Sequence, residues 1–138
     1  MIDALLNAGI SGLGAIYISP LKVLINDQDE RIQSVFERAV LSVASQHGDV
    51  VSRDRWKFSR EGELPTFLLT TPESLEVLLG DQDSRAAFAS MRFVIIDEIH
   101  AFMETELGVH LRCLLDRLER TGHRSVQRIG LSATVGNL

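Results

Sequence analysis

The apolar residues of this chain fall into two kinds of pattern, and each kind predicts a different element. Short continuous runs such as Phe93-Val94-Ile95-Ile96 are typical of strands buried on both faces of a parallel sheet. Further strands are predicted at residues 15–18, 40–45, 67–69 and 126–131. Between the strands, apolar residues recur every three or four positions, which predicts amphipathic helices over residues 20–39, 72–80 and 107–118.

The order of these elements predicts the fold class. Strands and helices alternate along the chain, which indicates one right-handed α/β domain over residues 1–138, with a parallel sheet between helices on both faces. Gly9, Gly12 and Gly14 precede a strand instead of following one, so we interpret them as a turn and not as a phosphate-binding loop. The basic stretch around Trp56 is interpreted as a surface helix that packs through this tryptophan.

Composition narrows the class of protein. The 138 residues are 45% hydrophobic with a net charge of -5, which is the profile of one globular domain without a broad basic face. No stretch has the length and apolarity of a membrane span, and the N-terminus lacks the pattern of a signal peptide. Cys113 is the single cysteine, so we expect a buried thiol in a reducing compartment and a cytoplasmic location.

Polar residues follow four of the predicted strands at the point where each strand ends. If the strands are parallel, these endings share the edge of the sheet where ligand sites of open α/β sheets lie. The four endings are Ser19-Pro20-Leu21-Lys22, Thr70-Thr71-Pro72-Glu73, Asp97-Glu98 and Ser132-Ala133-Thr134.

Two of these endings have the sequence of a helix start. Ser19 is predicted as an N-cap with Pro20 at the first helical position, and Thr71 and Pro72 repeat the arrangement. Lys22 lies in the first of these helical turns. The free backbone N–H groups of a helix start bind phosphate, so two adjacent starts offer an acidic domain a way to hold successive phosphates of a nucleic-acid strand.

Taken together in this order and spacing, the endings and Ile99-His100 resemble motifs Ia, Ib, II and III of superfamily 2 helicases of the DEAD/DEAH type. Tyr-Ile-Ser-Pro-Leu-Lys and Asp-Glu-Ile-His-Ala-Phe are most similar to the large helicase-related group of ATP-dependent DNA helicases. The resemblance implies the first RecA-like domain of a P-loop NTPase, which couples ATP hydrolysis to movement along DNA or RNA.

The resemblance also implies roles for individual residues. Asp97 would hold Mg²⁺ through water, and Glu98 would orient and deprotonate the water that attacks the γ-phosphate of ATP. His100 would couple this site to Ser132 and Thr134. The residues that would contact the nucleic-acid backbone are Ser19, Pro20, Lys22, Thr71 and Pro72, together with Gly48 in the turn His47-Gly48-Asp49.

The sequence also departs from the family pattern. It contains no G-x-x-x-x-G-K-[ST] loop, which the family places, with its own strand, ahead of the region matched here. We therefore expect a partial first RecA-like domain that lacks its first strand, and we expect the second RecA-like domain to be missing as well. ATP and Mg²⁺ are the cofactors implied for the intact parent, and this chain alone is expected neither to bind them tightly nor to hydrolyse ATP. Its unpaired apolar sheet edge is expected to favour low stability or self-association.

Two other classes of function stay open at this point. One is a non-catalytic module that binds single-stranded nucleic acid or docks on a partner. The other is a metal hydrolase with Asp97, Glu98 and His100 as ligands, which is disfavoured because the neighbouring Ser19, Thr71 and Ser132 are poor metal donors.

Overall fold

The computed structural model describes residues 12–39, 41–46, 64–122 and 125–133. Five described strands form one parallel sheet in the order β2-β3-β1-β4-β5. They are β1 (Ala15–Ile18), β2 (Val43–Gln46), β3 (Phe67–Thr70), β4 (Phe93–Ile96) and β5 (Gln127–Gly130). The described helices are α1 (Lys22–Arg38), α2 (Pro72–Gly80), α3 (Gln82–Ala87) and α4 (Glu106–Gly122), with 3₁₀ turns at Phe88–Ser90 and Ile99–Phe102.

The helices cover both faces of the sheet, as predicted. Successive side chains of a strand point to opposite faces. On β1, Ala15 and Tyr17 therefore pack with Ile25 and Phe36 of α1. Ile16 and Ile18 belong to the other cluster, which includes residues of α2 and α4. All four residues of β4 are buried, which explains why its sequence shows no alternation.

The register of the sheet brings the four strand endings to one edge. Ile18 lies beside both Thr70 and Ile96, and Ile96 lies beside Gly130. The residues that follow β1, β3, β4 and β5 consequently leave the sheet side by side. We call this the carboxyl edge, and its existence confirms the prediction from the strand endings.

Two elements start at least two residues later than the sequence predicts. The strand predicted over 40–45 begins at Val43, because the Leu41 N–H donates to Phe36 O (3.0 Å) and keeps residue 41 in the turn that closes α1. The helix predicted from Pro20 begins at Lys22. The interpretations placed on residues 1–9 and on Trp56 concern parts of the chain outside the described residues.

Cys113 is exposed, so the prediction of a buried thiol was wrong. On α4 the buried residues are Leu111, Leu114, Leu115 and Leu118, which form one stripe at helical spacing. Cys113 lies between members of this stripe in sequence, and the turn of the helix carries it to the solvent side.

The β5 strand is one edge of the described sheet, and this edge is more polar than predicted. Gln127, Arg128 and Gly130 are exposed, and Ile129 is partly buried. The Arg128 guanidinium lies 3.0 Å from a carboxylate oxygen of Glu119, which ties the strand to α4. Within the described residues, no helix has the length and apolar character needed to cross a membrane.

Candidate functional site at the carboxyl edge

Asp97 is fixed at the end of β4 by three hydrogen bonds. Its N–H donates to Ile18 O (2.9 Å), which continues the pairing of β4 with β1 by one residue. Its Oδ1 accepts the N–H of Glu98 (2.9 Å), and its Oδ2 accepts the hydroxyl of Tyr17. Each carboxylate oxygen therefore has a donor from the protein and retains a free lone pair for a further ligand.

Tyr17 is the buried donor of this arrangement. Its side chain is only 4% exposed and packs on the α1 side of the sheet. Burial raises the pKa of Tyr17 above its ordinary value, and the hydrogen bond to Asp97 and the negative charges of Asp97 and Glu98 raise it further. The phenol therefore stays neutral at physiological pH and keeps its proton for Asp97.

Glu98 has a backbone conformation that is uncommon for a residue with a side chain. Its φ of 48° and ψ of 46° lie in the left-handed region, which turns the chain sharply from β4 into the 3₁₀ turn. The Ala101 N–H donates to Glu98 O (2.7 Å) and closes this turn. Left-handed non-glycine residues cost of order 1–3 kcal/mol and concentrate at functional sites. The conformation supports a site role for Glu98 beside its sequence motif but does not assign one by itself, because Glu104 has a φ of 55° as well.

His100 connects the end of β4 with the end of β5. Its Nδ1 lies 3.0 Å from Ser132 Oγ and 3.2 Å from Glu98 Oε2. Two backbone hydrogen bonds support the same junction, because the Leu131 N–H donates to Ile96 O and the Ile99 N–H donates to Leu131 O, both at 2.8 Å. The structure thus brings His100, Ser132 and Glu98 together, whereas Thr134 lies outside the described residues.

The start of α2 has the capped geometry that its sequence predicts. Thr71 has extended backbone angles, and its Oγ1 accepts the N–H of Ser74 at 3.3 Å. Pro72 is the first residue of the helix. Prolines are favoured there because the missing N–H has no helical acceptor in any case.

Ser19 does not cap α1, so this part of the prediction was wrong. The Ser19 N–H donates to Thr70 O (3.1 Å), which keeps the residue in the sheet, and α1 begins three residues later at Lys22. The Ser19 hydroxyl is buried and has no hydrogen-bond partner. Pro20 forms a bend, Lys22 is exposed on the first turn of α1, and Gly48 lies outside the described residues.

The donor set at the carboxyl edge fits Mg²⁺ better than a transition metal. Among the described residues, no group of three or more histidine, cysteine or carboxylate side chains is placed to hold a metal ion. Mg²⁺ characteristically takes one or two carboxylates and completes its shell with water and substrate phosphates. The two carboxylates of Asp97 and Glu98 suit this mode of Mg²⁺ binding. The metal-hydrolase alternative lacks a sufficient set of ligands in the described part of the chain.

A cleft of about 420 Å³ is lined by Leu79, Arg85, Arg117, Arg120 and Thr121. It contains none of the residues of the carboxyl edge. The cleft therefore lies apart from the candidate site.

Sequence reasoning missed Tyr17 as a member of the site. The residue lies 80 positions before Asp97, inside an apolar run where an aromatic residue is expected for packing alone. A phenol in place of Phe at a buried strand position was the available signal, because a buried hydroxyl needs a hydrogen-bond partner.

A parallel sheet between two helical layers, with an acidic pair following a central strand and a histidine reaching the next strand ending, defines a RecA-like helicase domain. The chain belongs to the DEAD/DEAH box helicase family, whose family profile matches residues 1–138.

The similar proteins include several Lhr helicases. The chain is 39% identical over 132 residues to the Lhr helicase/uracil glycosylase of Escherichia coli, covering 87% of this chain and 8% of that protein. It is 36% identical to the ATP-dependent helicase Lhr-Core of Methanothermobacter thermautotrophicus, covering 87% of this chain and 15% of that protein. The chain therefore spans a small part of the length of these relatives.

Solved structures agree with the fold. The helicase Lhr of Mycobacterium smegmatis bound to ssDNA and AMP-PNP superposes with a TM-score of 0.80 at 34% identity, covering 92% of this chain and 18% of that one. The DEAD-box helicase Mss116 bound to ssRNA and UDP-BeF superposes with a TM-score of 0.77 at 17% identity, which shows the shared fold alone.

Proposed function

We propose that this chain supplies the catalytic carboxylates and part of the nucleic-acid contact of an ATP-dependent helicase, which couples ATP hydrolysis to movement along a DNA strand. The observation that carries the proposal is the junction of Asp97, Glu98, His100 and Ser132 at the carboxyl edge. Membership of the helicase family supports it, as does the similarity to the M. smegmatis Lhr, which was solved with ssDNA and an ATP analogue.

In this proposal the two carboxylates divide the chemistry of phosphoryl transfer. Asp97 holds Mg²⁺ through water, and the cation neutralises charge on the ATP phosphates. Glu98 orients the attacking water and accepts its proton. The Glu98 carboxylate follows Asp97 directly in sequence and is only partly exposed, which supports the proposed role at the same phosphates.

His100 transmits the state of the nucleotide site to the end of β5. An N–H at Nδ1 of His100 can donate to Glu98 Oε2 or to Ser132 Oγ, because both acceptors lie within 3.2 Å. A change at Glu98 on hydrolysis therefore alters the bond that His100 makes to Ser132. Thr134 is proposed to take part in the same coupling, on the strength of the motif alone.

Nucleic acid is proposed to lie across the ends of β1 and β3. These strands are paired at the usual spacing of about 4.8 Å, so Ser19 and Thr71, the first residues after them, lie side by side. The N–H groups of Ser74 and Leu75 donate to Thr71 Oγ1 and Thr71 O, which leaves the Glu73 N–H at the start of α2 for a phosphate. Lys22 adds the positive charge, with contributions proposed for Pro20, Pro72 and Gly48.

The chain alone is proposed to be inactive as an ATPase. Phosphoryl transfer depends on positioning and on neutralising charge, and the sequence offers no lysine in a phosphate-binding loop for either task. A complete site then needs that loop and a second RecA-like domain. We further propose a cytoplasmic location, and weak self-association through the backbone groups of the β5 edge, since the side chains there are mostly polar.

The test of the nucleic-acid contact is fluorescence anisotropy with labelled single-stranded DNA at several salt concentrations. Lys22→Ala is expected to weaken binding and to reduce the slope of log affinity against log salt by about 1, because one phosphate contact is lost. Arg120→Ala removes the same charge from the far end of α4 and serves as the matched control. Equal effects of the two substitutions would contradict the proposed contact.

A non-catalytic module that binds single-stranded nucleic acid is the second candidate, favoured by the adjacent endings of β1 and β3 and the capped start of α2. Calorimetric titration with ATP and Mg²⁺ separates the two. Under the first proposal, the 138 residues bind ATP only when joined to such a loop. Failure of the joined chain to bind ATP would favour the non-catalytic module.

A further inference from the structure

Tyr17 has a contact that packing does not require. Its ring fills the layer between β1 and α1, a task that phenylalanine performs equally well, as Phe67 and Phe93 do on the neighbouring strands. The hydroxyl instead reaches across to the strand ending of β4 and donates to Asp97 Oδ2. A buried hydroxyl without a partner is costly, and here its partner is the carboxylate of the candidate metal site.

The second oxygen of Asp97 is held from the opposite direction. The Glu98 N–H donates to Oδ1 (2.9 Å), and this backbone group is fixed in turn by the left-handed conformation of Glu98. Two donors that approach from different elements hold the Asp97 side chain in one χ1 rotamer and also fix the rotation of its carboxylate. Removing the Tyr17 hydroxyl leaves one donor, about which the carboxylate can swing.

We propose that Tyr17 is a positioning residue that holds the Asp97 carboxylate in the orientation required to bind a divalent cation. This inference rests on the proposed function of Asp97. It extends that function to a residue of β1, two positions before the Ser19–Lys22 segment that is proposed to contact nucleic acid. The hydroxyl thereby links the strand that carries the nucleic-acid contact to the carboxylate that binds the cation.

The substitution that tests the proposal is Tyr17→Phe, which keeps the ring and removes only the hydroxyl. The matched control is Ser90→Ala, which removes another side-chain hydroxyl, the one that donates to Leu13 O at 2.9 Å on the other side of the sheet. Asp97→Asn identifies the signals that depend on the cation-binding carboxylate. All variants are made in the 138-residue chain.

The first measurement is Mn²⁺ titration followed by paramagnetic broadening of backbone amide signals. In the unsubstituted chain the amides of Glu98 and Ile99 are expected to broaden, and Asp97→Asn is expected to abolish this. Tyr17→Phe is expected to weaken the apparent Mn²⁺ affinity about tenfold, the usual effect of losing a residue that orients a metal ligand. Ser90→Ala is expected to change nothing.

The second measurement reads the orientation of Asp97 without any metal. Three-bond couplings about χ1 of Asp97 should report one rotamer in the unsubstituted chain and in Ser90→Ala, and an average of rotamers in Tyr17→Phe. A purely structural role for Tyr17 would lower the melting temperature and leave this coupling unmoved.

The outcomes separate the two proposals. No broadening at Glu98 in the unsubstituted chain would overturn the cation-binding role of Asp97, and the couplings would still decide whether Tyr17 orients it. Broadening that is unchanged within twofold in Tyr17→Phe would overturn the positioning role alone. Equal losses in Tyr17→Phe and Ser90→Ala would also overturn it, because the effect would then follow general destabilisation.

Discussion

Gly108 is the position at which the structure makes its sharpest prediction about stability. It lies in the first turn of α4, against the carbonyl of Phe102 at the end of the 3₁₀ turn that carries His100. A Cβ built on Gly108 would lie 1.7 Å from Phe102 O and 2.8 Å from its carbonyl carbon, whereas real Cβ atoms essentially never come closer than 3.0 Å to another heavy atom. Gly108→Ala therefore forces α4 and the 3₁₀ turn apart by more than an ångström.

The obstacle is backbone, so no side chain can rotate away to relieve it. Overpacking of this kind costs about 1–3 kcal/mol and occasionally more, and we expect Gly108→Ala to lie at the upper end, near 3 kcal/mol. At about 4 °C per kcal/mol for a domain of this size, the melting temperature should fall by about 12 °C. The displacement should also move Ile99 and His100, and so disturb the contact of His100 with Ser132.

Denaturant unfolding measures the stability change, and amide chemical shifts of residues 99–102 measure the displacement. Gly80→Ala is the matched control, because a Cβ on Gly80, at the end of α2, meets nothing within 4 Å. This control is expected to leave stability unchanged or to raise it by about 0.4–1 kcal/mol, because alanine lowers the conformational entropy of the unfolded chain. A loss in the free energy of unfolding of less than about 1 kcal/mol in Gly108→Ala would fall below the expected cost of overpacking. Such a result would contradict the close approach of α4 to the turn.

Three further predictions concern the carboxyl edge. Thr71→Ala should lower the free energy of unfolding by about 1 kcal/mol through loss of the α2 cap, and Thr71→Ser should restore most of it. Glu98→Gly should remove the strain of a left-handed backbone and leave stability unchanged or up to about 1 kcal/mol higher, and a clear loss in denaturant unfolding would contradict the strain. The raised pKa of Tyr17 means that its contribution to stability is complete below the unfolded value of 10.0. As pH rises above this value, only the unfolded phenol ionises, and stability should fall by up to about 1.4 kcal/mol per pH unit. Tyr17→Phe should show a shallower fall in unfolding experiments at alkaline pH, and parallel curves for the two proteins would contradict the assignment.

Much of the fold could be predicted because its determinants are local. The continuous apolar runs of β1, β3 and β4 mark strands buried on both faces, and the register that follows from parallel pairing places Asp97 beside the endings of β1 and β5. The cap of α2 was predicted for the same reason, since it depends only on Thr71, Pro72 and Ser74, which are close together in sequence. The order and spacing of the four strand endings carried the resemblance to helicases.

The wrong predictions have causes that lie outside the local sequence. The sequence Ser19-Pro20 is typical of a helix start, but the hydrogen bond from Ser19 to Thr70 extends the sheet pairing beyond β1. Cys113 was predicted to be buried because cysteines usually are. Its exposure is decided instead by its position on α4, outside the stripe of buried leucines. The bond from Tyr17 to Asp97 joins residues 80 positions apart, and only the three-dimensional adjacency of β1 and β4 reveals it.

The position of β1 at the centre of the sheet also governs when it can form. Its two neighbours, β3 and β4, come later in the sequence, and the strand that follows it directly, β2, is not beside it. At a synthesis rate of about 5–20 residues per second, the roughly 50 residues between β1 and β3, the first of these neighbours to be made, take about 2.5–10 s to appear. During this interval the apolar strand Ala15–Ile18 has no permanent partner. The strand that ends as the most protected element of the sheet is thus the one most dependent on chaperones or on transient local structure while the chain is being made.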